Sequence, residues 1–422
     1  MRVIFASFAL KTHFFSQVPL AWALRSSGHE VRVASQPSLT EAITAAGLTA
    51  VAVGTDHSWR ETMSGASAPH SDWDAGLDLD PTRPGVHHWE VLRGVNAQLT
   101  ERFFASANND SMVDDLVRFA RGWRPDLVIW EPFTPAGAIA AEASGSAHAR
   151  LLWGADLFVD QRREYLRERL LQPAEQRKDP LAEWMSGKAE KYGLSFDERL
   201  LRGHWTIDQM PASIRLPLGE RTLPMRYIPY NGHSVVPPWL RETPTRPRVC
   251  VTFGTTAREG TGDGAESLTR ILEGLDGLDV EVIATLDAAQ LGTMSKVPDN
   301  VKPFDFVPLT VLLPGCSAIV HHGGAGTWST AVAAGVPQLI VPSEWDDYYR
   351  ARRTAELGAG LVVAHDGLDA AAVRAGVQRL IAEPRFSDGA ERLRGEMAAD
   401  PAPGDLVHTL EKWTLEQLES GY

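Results

Sequence analysis

The chain is predicted to fold as two doubly wound α/β domains. Three observations carry that prediction: a length of 422 residues, which exceeds one ordinary hydrophobic core; two series in which short apolar strand-like runs alternate with helical periods; and a proline-rich break between them. The first series opens with a strand from Val3 to Phe8, a polar turn, a helical run from Val18 to Arg25 stopped at Gly28, and a strand from Glu30 to Ala34. A helix from about Ser111 to Arg121, a buried strand from Asp126 to Trp130 and a small-residue helix from Ala136 to Ala143 continue it. This alternation implies a parallel sheet covered on both faces. Two long excursions, Thr55 to Thr100 and Leu157 to Trp205, leave the rhythm and are rich in charge, Trp and His; such segments tend to hold function.

Prolines, including Pro237, Pro238, Pro244 and Pro247, erase any helical period between Leu216 and Arg248. The expected division is therefore a first domain over 1–215, a linker over 216–247 and a second domain over 248–400. In the second domain the run Arg248 to Gly254 starts the rhythm again, followed by a helix near Ala265 to Leu275 and a strand from Val280 to Thr285. After Pro401 and Pro403, residues 401–422 hold an amphipathic helix, Leu406 to Leu418, that either returns to the first domain or caps the second.

Composition narrows the partners. Acidic residues outnumber basic ones, 54 to 41, for a net charge of -13, and no Lys/Arg-rich patch stands out, so nucleic acid is not an expected partner. Cys250 and Cys316 lie in apolar runs and read as buried free thiols, which fits a reducing cytoplasm. The N-terminus lacks the apolar core of a signal peptide, and no apolar stretch is long enough to span a bilayer. A soluble cytoplasmic protein is expected.

The most informative stretch is Ile319 to Thr330, reading Ile-Val-His-His-Gly-Gly-Ala-Gly-Thr-Trp-Ser-Thr. A buried strand runs through paired histidines and a glycine-rich turn into a helix. Helix-opening amides have no internal partners and carry the positive end of the dipole, and glycines admit a phosphate close to the backbone. His322 and Thr327 add side-chain donors beside Gly324, Ala325 and Gly326. No Gly-Lys-Ser/Thr follows, as a P-loop requires, and the third glycine of the dinucleotide fingerprint is missing.

This motif resembles the donor-binding segment of nucleotide-sugar glycosyltransferases with the GT-B fold. The likeness continues through Gly335 to Pro342, Trp345-Asp346-Asp347, Gly358-Ala359-Gly360 and, near the N-terminus, Thr12-His13-Phe14-Phe15. Arg124 to Pro132, Arg150-Leu151-Leu152-Trp153-Gly154, and Met225 to Gly232 make the chain most similar to actinobacterial transferases that attach deoxyaminosugars such as desosamine to macrolides. The resemblance implies two facing Rossmann-like domains, the first for the acceptor and the second for the donor. It also implies an inverting, metal-independent transfer of a TDP-activated deoxysugar or deoxyaminosugar onto a hydroxyl of a macrolide or polyketide aglycone.

Residue by residue, the resemblance makes His13 the base that deprotonates the acceptor and Glu131, in place of the more usual aspartate, the carboxylate that orients it. Gly254 and Thr255 would contact the donor phosphates with the His322 to Thr327 motif, and Phe306 and Val307 would hold the nucleotide base. Asp346 matches the family's sugar-binding Asp-Gln, whereas Asp347 replaces the glutamine, and a second carboxylate there suits a protonated dimethylamino group. Trp59, Trp73, Trp89, Trp153 and Phe158 supply apolar surface for the acceptor. No cofactor or metal is implied: Asp78-Leu79-Asp80 spells a metal-binding pattern but reads as solvated surface, and the adjacent His87 and His88 point opposite ways. Relatives of this kind commonly need an auxiliary activator resembling a haem oxygenase without the haem-ligating cysteine; a homodimer is also compatible. Open alternatives are a neutral deoxysugar, an anthracycline-type acceptor, or a non-catalytic nucleotide-sugar binder. A dehydrogenase is disfavoured because Ala6 to Lys11 contains no glycine.

Overall fold

The computed structural model describes residues 1–58, 78–253, 263–294, 296–343 and 345–420. The first sheet is built from β1 (Arg2–Ala6), β2 (Glu30–Ser35), β3 (Ala50–Ala52), β4 (Leu127–Trp130), β5 (Ala147–Leu151), β6 (Trp205–Asp208) and β7 (Thr222–Pro224). They lie in the order β3-β2-β1-β4-β5-β6-β7 and every pair is parallel. The second sheet takes β8 (Arg248–Thr252), β9 (Glu281–Thr285), β10 (Val301–Phe304), β11 (Ala318–His321), β12 (Gln338–Ile340) and β13 (Gly360–Val362), in the order β10-β9-β8-β11-β12-β13, again parallel throughout. Central strands are apolar along their whole length because helices cover both faces: all four residues of β4 and Val3 to Ala6 of β1 are buried.

Local sequence sets the helices on these sheets. Asn109 accepts a hydrogen bond from the Met112 amide and so caps the helix Asp110–Trp123. The small residues of Ala136–Ser144 let that helix approach β4 closely; a Cβ on Gly137 would lie 2.6 Å from the Trp130 Cβ. Leu99–Phe104 is a π-helical turn, which widens the helix and sends Phe103 to the cleft while Phe104 stays in the core.

Two features differ from expectation, and one open alternative is decided. His13 is in a one-turn helix, Lys11–Phe15, rather than a loop. The first sheet reaches into the expected linker, since β7 pairs with β6 inside residues 216–247. The two alternatives for the last helix resolve by packing: Leu406, Val407 and Leu410 join the core beneath β1 and β4, and Trp413 meets Trp205 edge-on at 5.7 Å. Among the described residues, no helix is long and apolar enough to cross a membrane.

Candidate active site

In each sheet the strand order reverses once, between β1 and β4 in the first and between β8 and β11 in the second. Loops leaving the carboxyl ends of the two strands diverge there and open a crevice. His13 follows β1 and Glu131 follows β4, while Thr252 ends β8 and His322 follows β11. The two crevices share one cleft of about 280 Å³ lined from both domains.

On the first-domain wall, His13 Nδ1 lies 2.9 Å from Glu131 Oε2. A carboxylate accepts only, so Nδ1 carries the proton and Nε2 keeps its lone pair. The Glu131 carboxylate is fully buried and further held by the Phe133 amide at 3.0 Å, the Trp153 indole N–H at 3.2 Å and the Thr134 hydroxyl. Rings of Phe8, Phe133 and Trp153 enclose His13, with centroids 4.8, 5.6 and 4.8 Å away. The methylene by which glutamate exceeds aspartate does not prevent contact.

On the opposite wall, the helix Ala325–Ala334 begins at Gly324, which brings no side chain to cap it. The paired histidines before it have separate tasks. His321 is buried: its Nδ1 accepts from the Gly323 amide and its Nε2 donates to Gln338 Oε1 at 2.8 Å, with burial lowering its pKa to about 3. His322 lines the cleft, and its buried Nδ1 has no hydrogen-bond partner. Desolvation and then the nearby Arg350 lower its pKa to about 4, so it is neutral at pH 7. Its ring packs across Gly324, where a Cβ would be 2.5 Å from Nε2.

Asp346 and Asp347 open the helix Asp346–Glu356 and meet a buried Arg350 one turn later. Arg350 donates to Asp346 through Nε at 2.7 Å and Nη2 at 3.0 Å, to Asp347 through Nη2 at 2.9 Å, and to the Gly323 carbonyl at 2.6 Å. Asp346 Oδ2 also accepts from the Ala155 amide of the first domain at 2.9 Å. Gly154 makes this approach feasible, because a Cβ there would be 2.3 Å from Asp346 Oδ2.

Most of the expected site residues converge: His13, Phe306, Val307, His322, Gly324, Ala325, Gly326, Thr327, Asp346, Asp347 and Trp153 line the cleft, with Glu131 behind His13. Phe306 is half exposed at the rim and Val307 is buried. Phe158 instead lines a smaller apolar cavity of about 40 Å³ that shares Phe133, Trp153, Trp345 and Asp346 with the cleft. Trp89 does not line the cleft; it stacks on Tyr165 at 5.4 Å, where helices Trp89–Gln98 and Leu157–Leu170 pack. Gly254, Thr255, Trp59 and Trp73 lie outside the described residues.

Several lining residues were not assigned to the site. Tyr227, Tyr230 and Asn231 belong to the Met225 to Gly232 segment of the family likeness but fall in the expected linker, and the Thr285 hydroxyl donates to Thr252 where β8 and β9 end. Repeated apolar period cannot mark such positions; only the strand ends could have pointed to the two threonines.

Two carboxylate patterns bear on metals. Asp78 and Asp80 are not solvated surface: both are buried or nearly so and pair with Arg352 of the second domain, Asp80 at 2.5 Å. Their partner lies more than 270 residues away, beyond any local sequence window. Among the described residues one group, Glu142, His148 and His204, has metal-ligand spacing. It sits at the amino ends of β5 and β6, away from the cleft. His148 Nδ1 accepts from the Trp130 indole and His204 Nδ1 from the His148 amide, both donor-only groups. Each Nε2 therefore carries a proton aimed at Glu142, which leaves no lone pair for a metal. His87 bonds Asp160 while His88 is exposed, as expected of adjacent residues pointing apart.

Two parallel-sheet domains that share a cleft at their switch points, a His–Glu pair on one wall and an open helix terminus on the other, define a glycosyltransferase of the GT-B class. Comparison with known proteins agrees. The N-terminal domain pattern described as "Erythromycin biosynthesis protein CIII-like" matches residues 22–254 and the C-terminal domain pattern of the same description matches 269–413. The chain belongs to the erythromycin biosynthesis protein CIII-like family. It is 50% identical over 415 residues to the 10-deoxymethynolide desosaminyltransferase of Streptomyces venezuelae, covering 98% of this chain and 97% of that one. It is 48% identical to the aklavinone 7-beta-L-rhodosaminyltransferase of Streptomyces galilaeus, covering 99% and 96%. The crystal structure of the glycosyltransferase VinC in complex with dTDP superposes with a TM-score of 0.86 at 41% identity, over 100% of both chains.

Proposed function

We propose that this protein transfers a deoxyaminosugar from TDP to a hydroxyl of a macrolide-type polyketide, with inversion and without a metal ion, in the cytoplasm. One observation carries the reading: His13, with its Nε2 lone pair in the cleft and Glu131 behind it, stands across from the open N-terminus of Ala325–Ala334. The acceptor hydroxyl gives its proton to His13 Nε2 as its oxygen attacks the anomeric carbon. The imidazolium that forms is stabilised by Glu131. The bond to the TDP oxygen breaks on the opposite face, so the anomeric configuration inverts. Charge accumulating on the departing diphosphate meets the helix amides, Thr327 and the His322 imidazole on the cleft wall. These neutral donors do the work a metal ion does elsewhere.

The aminosugar follows from charge. Two carboxylates, Asp346 and Asp347, line the cleft with one guanidinium, Arg350, between them, and this acid-rich wall suits a cationic sugar better than a neutral one. Phe103, Phe133, Trp153 and Trp345 give the acceptor an apolar wall. An auxiliary activator would act from the outer surface of the first domain and leave these groups in place.

The test begins with calorimetric binding of TDP, UDP and GDP with and without EDTA, followed by transfer from TDP-desosamine to 10-deoxymethynolide. TDP should bind selectively and without regard to EDTA, and NMR of the product should show an inverted anomeric centre. His13→Ala should lower kcat by roughly 10²–10⁴-fold with the TDP affinity unchanged. Retained turnover in that variant, retention of configuration, or loss of TDP binding in EDTA each overturns the corresponding part of the reading.

A further inference from the structure

Trp153 stands where the two walls of the cleft meet. Its indole N–H donates to Glu131 Oε2 at 3.2 Å, on the same oxygen that accepts from His13 Nδ1. Its ring lies 4.8 Å from the His13 ring, tilted by 54°, and 5.6 Å from Phe133. It thus touches both members of the pair. The Thr134 hydroxyl holds the other side of the carboxylate: it accepts from the Phe8 amide at 2.8 Å, which leaves its proton for Glu131 Oε1. Every neighbour of Oε2 is a donor, so that oxygen acts only as an acceptor and its direction is fixed by where those donors stand.

The segment that carries Trp153 is itself held from across the cleft. Two residues on, the Ala155 amide donates to Asp346 Oδ2, and Gly154 between them has no room for a side chain against that oxygen. Asp346 is in turn fixed by the fork of Arg350. One short run therefore contacts the carboxylate behind the base with its first residue and the carboxylate at the donor side with its third.

We propose that Trp153 is a positioning residue: its N–H and ring align Glu131 and His13, and that alignment is completed when Asp346 of the donor domain seizes the Ala155 amide. The proposal rests on the reading of His13 and Glu131 as the base and its orienting carboxylate. Closure of the two domains and readiness of the base then become one event, and His13 is not aligned while the cleft is open.

Trp153→Phe keeps an aromatic ring and deletes the N–H. It should lower kcat for the TDP-desosamine and 10-deoxymethynolide pair about tenfold, the order expected for one hydrogen bond to a charged group, and leave TDP affinity unchanged. The decisive comparison is a double-mutant cycle. In a Glu131→Gln background Trp153→Phe should cost little more, because the group it acts through is already altered; losses that multiply would make Trp153 an independent wall residue and overturn the proposal. A second readout needs no substrate: the Nδ1–H resonance of His13 in histidine-labelled protein, assigned by its absence in His13→Ala, should shift in Trp153→Phe. An unmoved resonance overturns the proposal even if turnover falls. A shifted resonance in a protein that transfers no sugar supports the positioning and places the failure in the reaction assigned to the site.

Discussion

Arg350 decides what the two aspartates can do. Its guanidinium is buried between Asp346 and Asp347, and a fork of this kind matches two carboxylates in a way a lysine would not. All three residues line the cleft, so two carboxylates share one guanidinium there. Asp347→Asn removes one of the two carboxylates and retains the shape. For an aminosugar donor kcat/KM should fall roughly 10- to 100-fold, the range for a lost charge-assisted contact, while a donor with hydroxyl in place of the amine should lose much less. Comparing the two donors on one variant cancels any general loosening of Arg350. Equal losses would return Asp347 to the modest task of complementing its helix dipole. Residues of this class were legible because each sits at a strand or helix end within a recognisable motif; Arg350 was not, since an arginine inside a helix has no marker until its partners are placed one turn before it.

At the scale of elements, the sequence placed most strands and helices because apolar runs and helical periods are local properties. Ile319 to Thr330 is the clearest case: strand, turn and helix N-terminus follow from a dozen residues. What it could not place was assembled by tertiary contact. Thr222–Pro224 is a strand only because β6 offers an edge, and Tyr227 lines the cleft only because the chain leaving that strand crosses the donor helix, where its hydroxyl meets Gly326 and Thr330. The Glu142, His148 and His204 group is assembled in the same way, tying Ala136–Ser144 to the starts of β5 and β6. Burial lowers the His148 pKa to about 4. The folded state therefore holds His148 neutral while the unfolded chain takes up a proton below about pH 6.5, and the stability it contributes above that pH is lost as pH falls through 4. At pH 5 the loss from this one group is about 2 kcal/mol. Asp208, raised to about 7 by burial, works in the opposite direction and stabilises the acid side. The discriminating measurement is urea unfolding at pH 7 and pH 5 in the parent and in His148→Gln. Because Asp208 offsets much of the loss in the parent, the variant should gain stability relative to the parent on going from pH 7 to pH 5, by about 2 kcal/mol; an identical change in both would mean that His148 is not held neutral by its burial.

For the whole molecule, the cleft is only as good as the contact between its walls, and polar groups beside a shared apolar core make that contact. Asp346 reaches the Ala155 amide, Tyr349 donates to the Ile214 carbonyl, and Arg353 donates to Ser213. Beside them Arg352 grips Asp78 and Asp80 midway along the long first-domain excursion, next to the bridge between Asp78 and Trp345. Trp345 there has a positive φ of 54°, a costly conformation for a bulky residue. Its ring lies 4.6 Å from Phe103 and 5.6 Å from Phe133, so the turn that carries it is held from the first domain as well as from its own helix. Removing Arg352 leaves buried Asp80 without its cation and Asp78 with only Arg83 at 3.9 Å, at the seam between the domains, and burial of an unpaired charge is costly enough to favour separation. The donor site itself lies within the second domain and does not need Arg352. Arg352→Ala should therefore bind TDP within about twofold of the parent, the spread typical of distant substitutions, yet show a larger radius of gyration by X-ray scattering and a lower kcat. If scattering and kcat both stay at parental values, Arg352 is a surface pair and the seam is held by the aromatic contacts around Trp345. If TDP affinity falls with kcat, the two crevices are not separable and donor binding itself depends on closure.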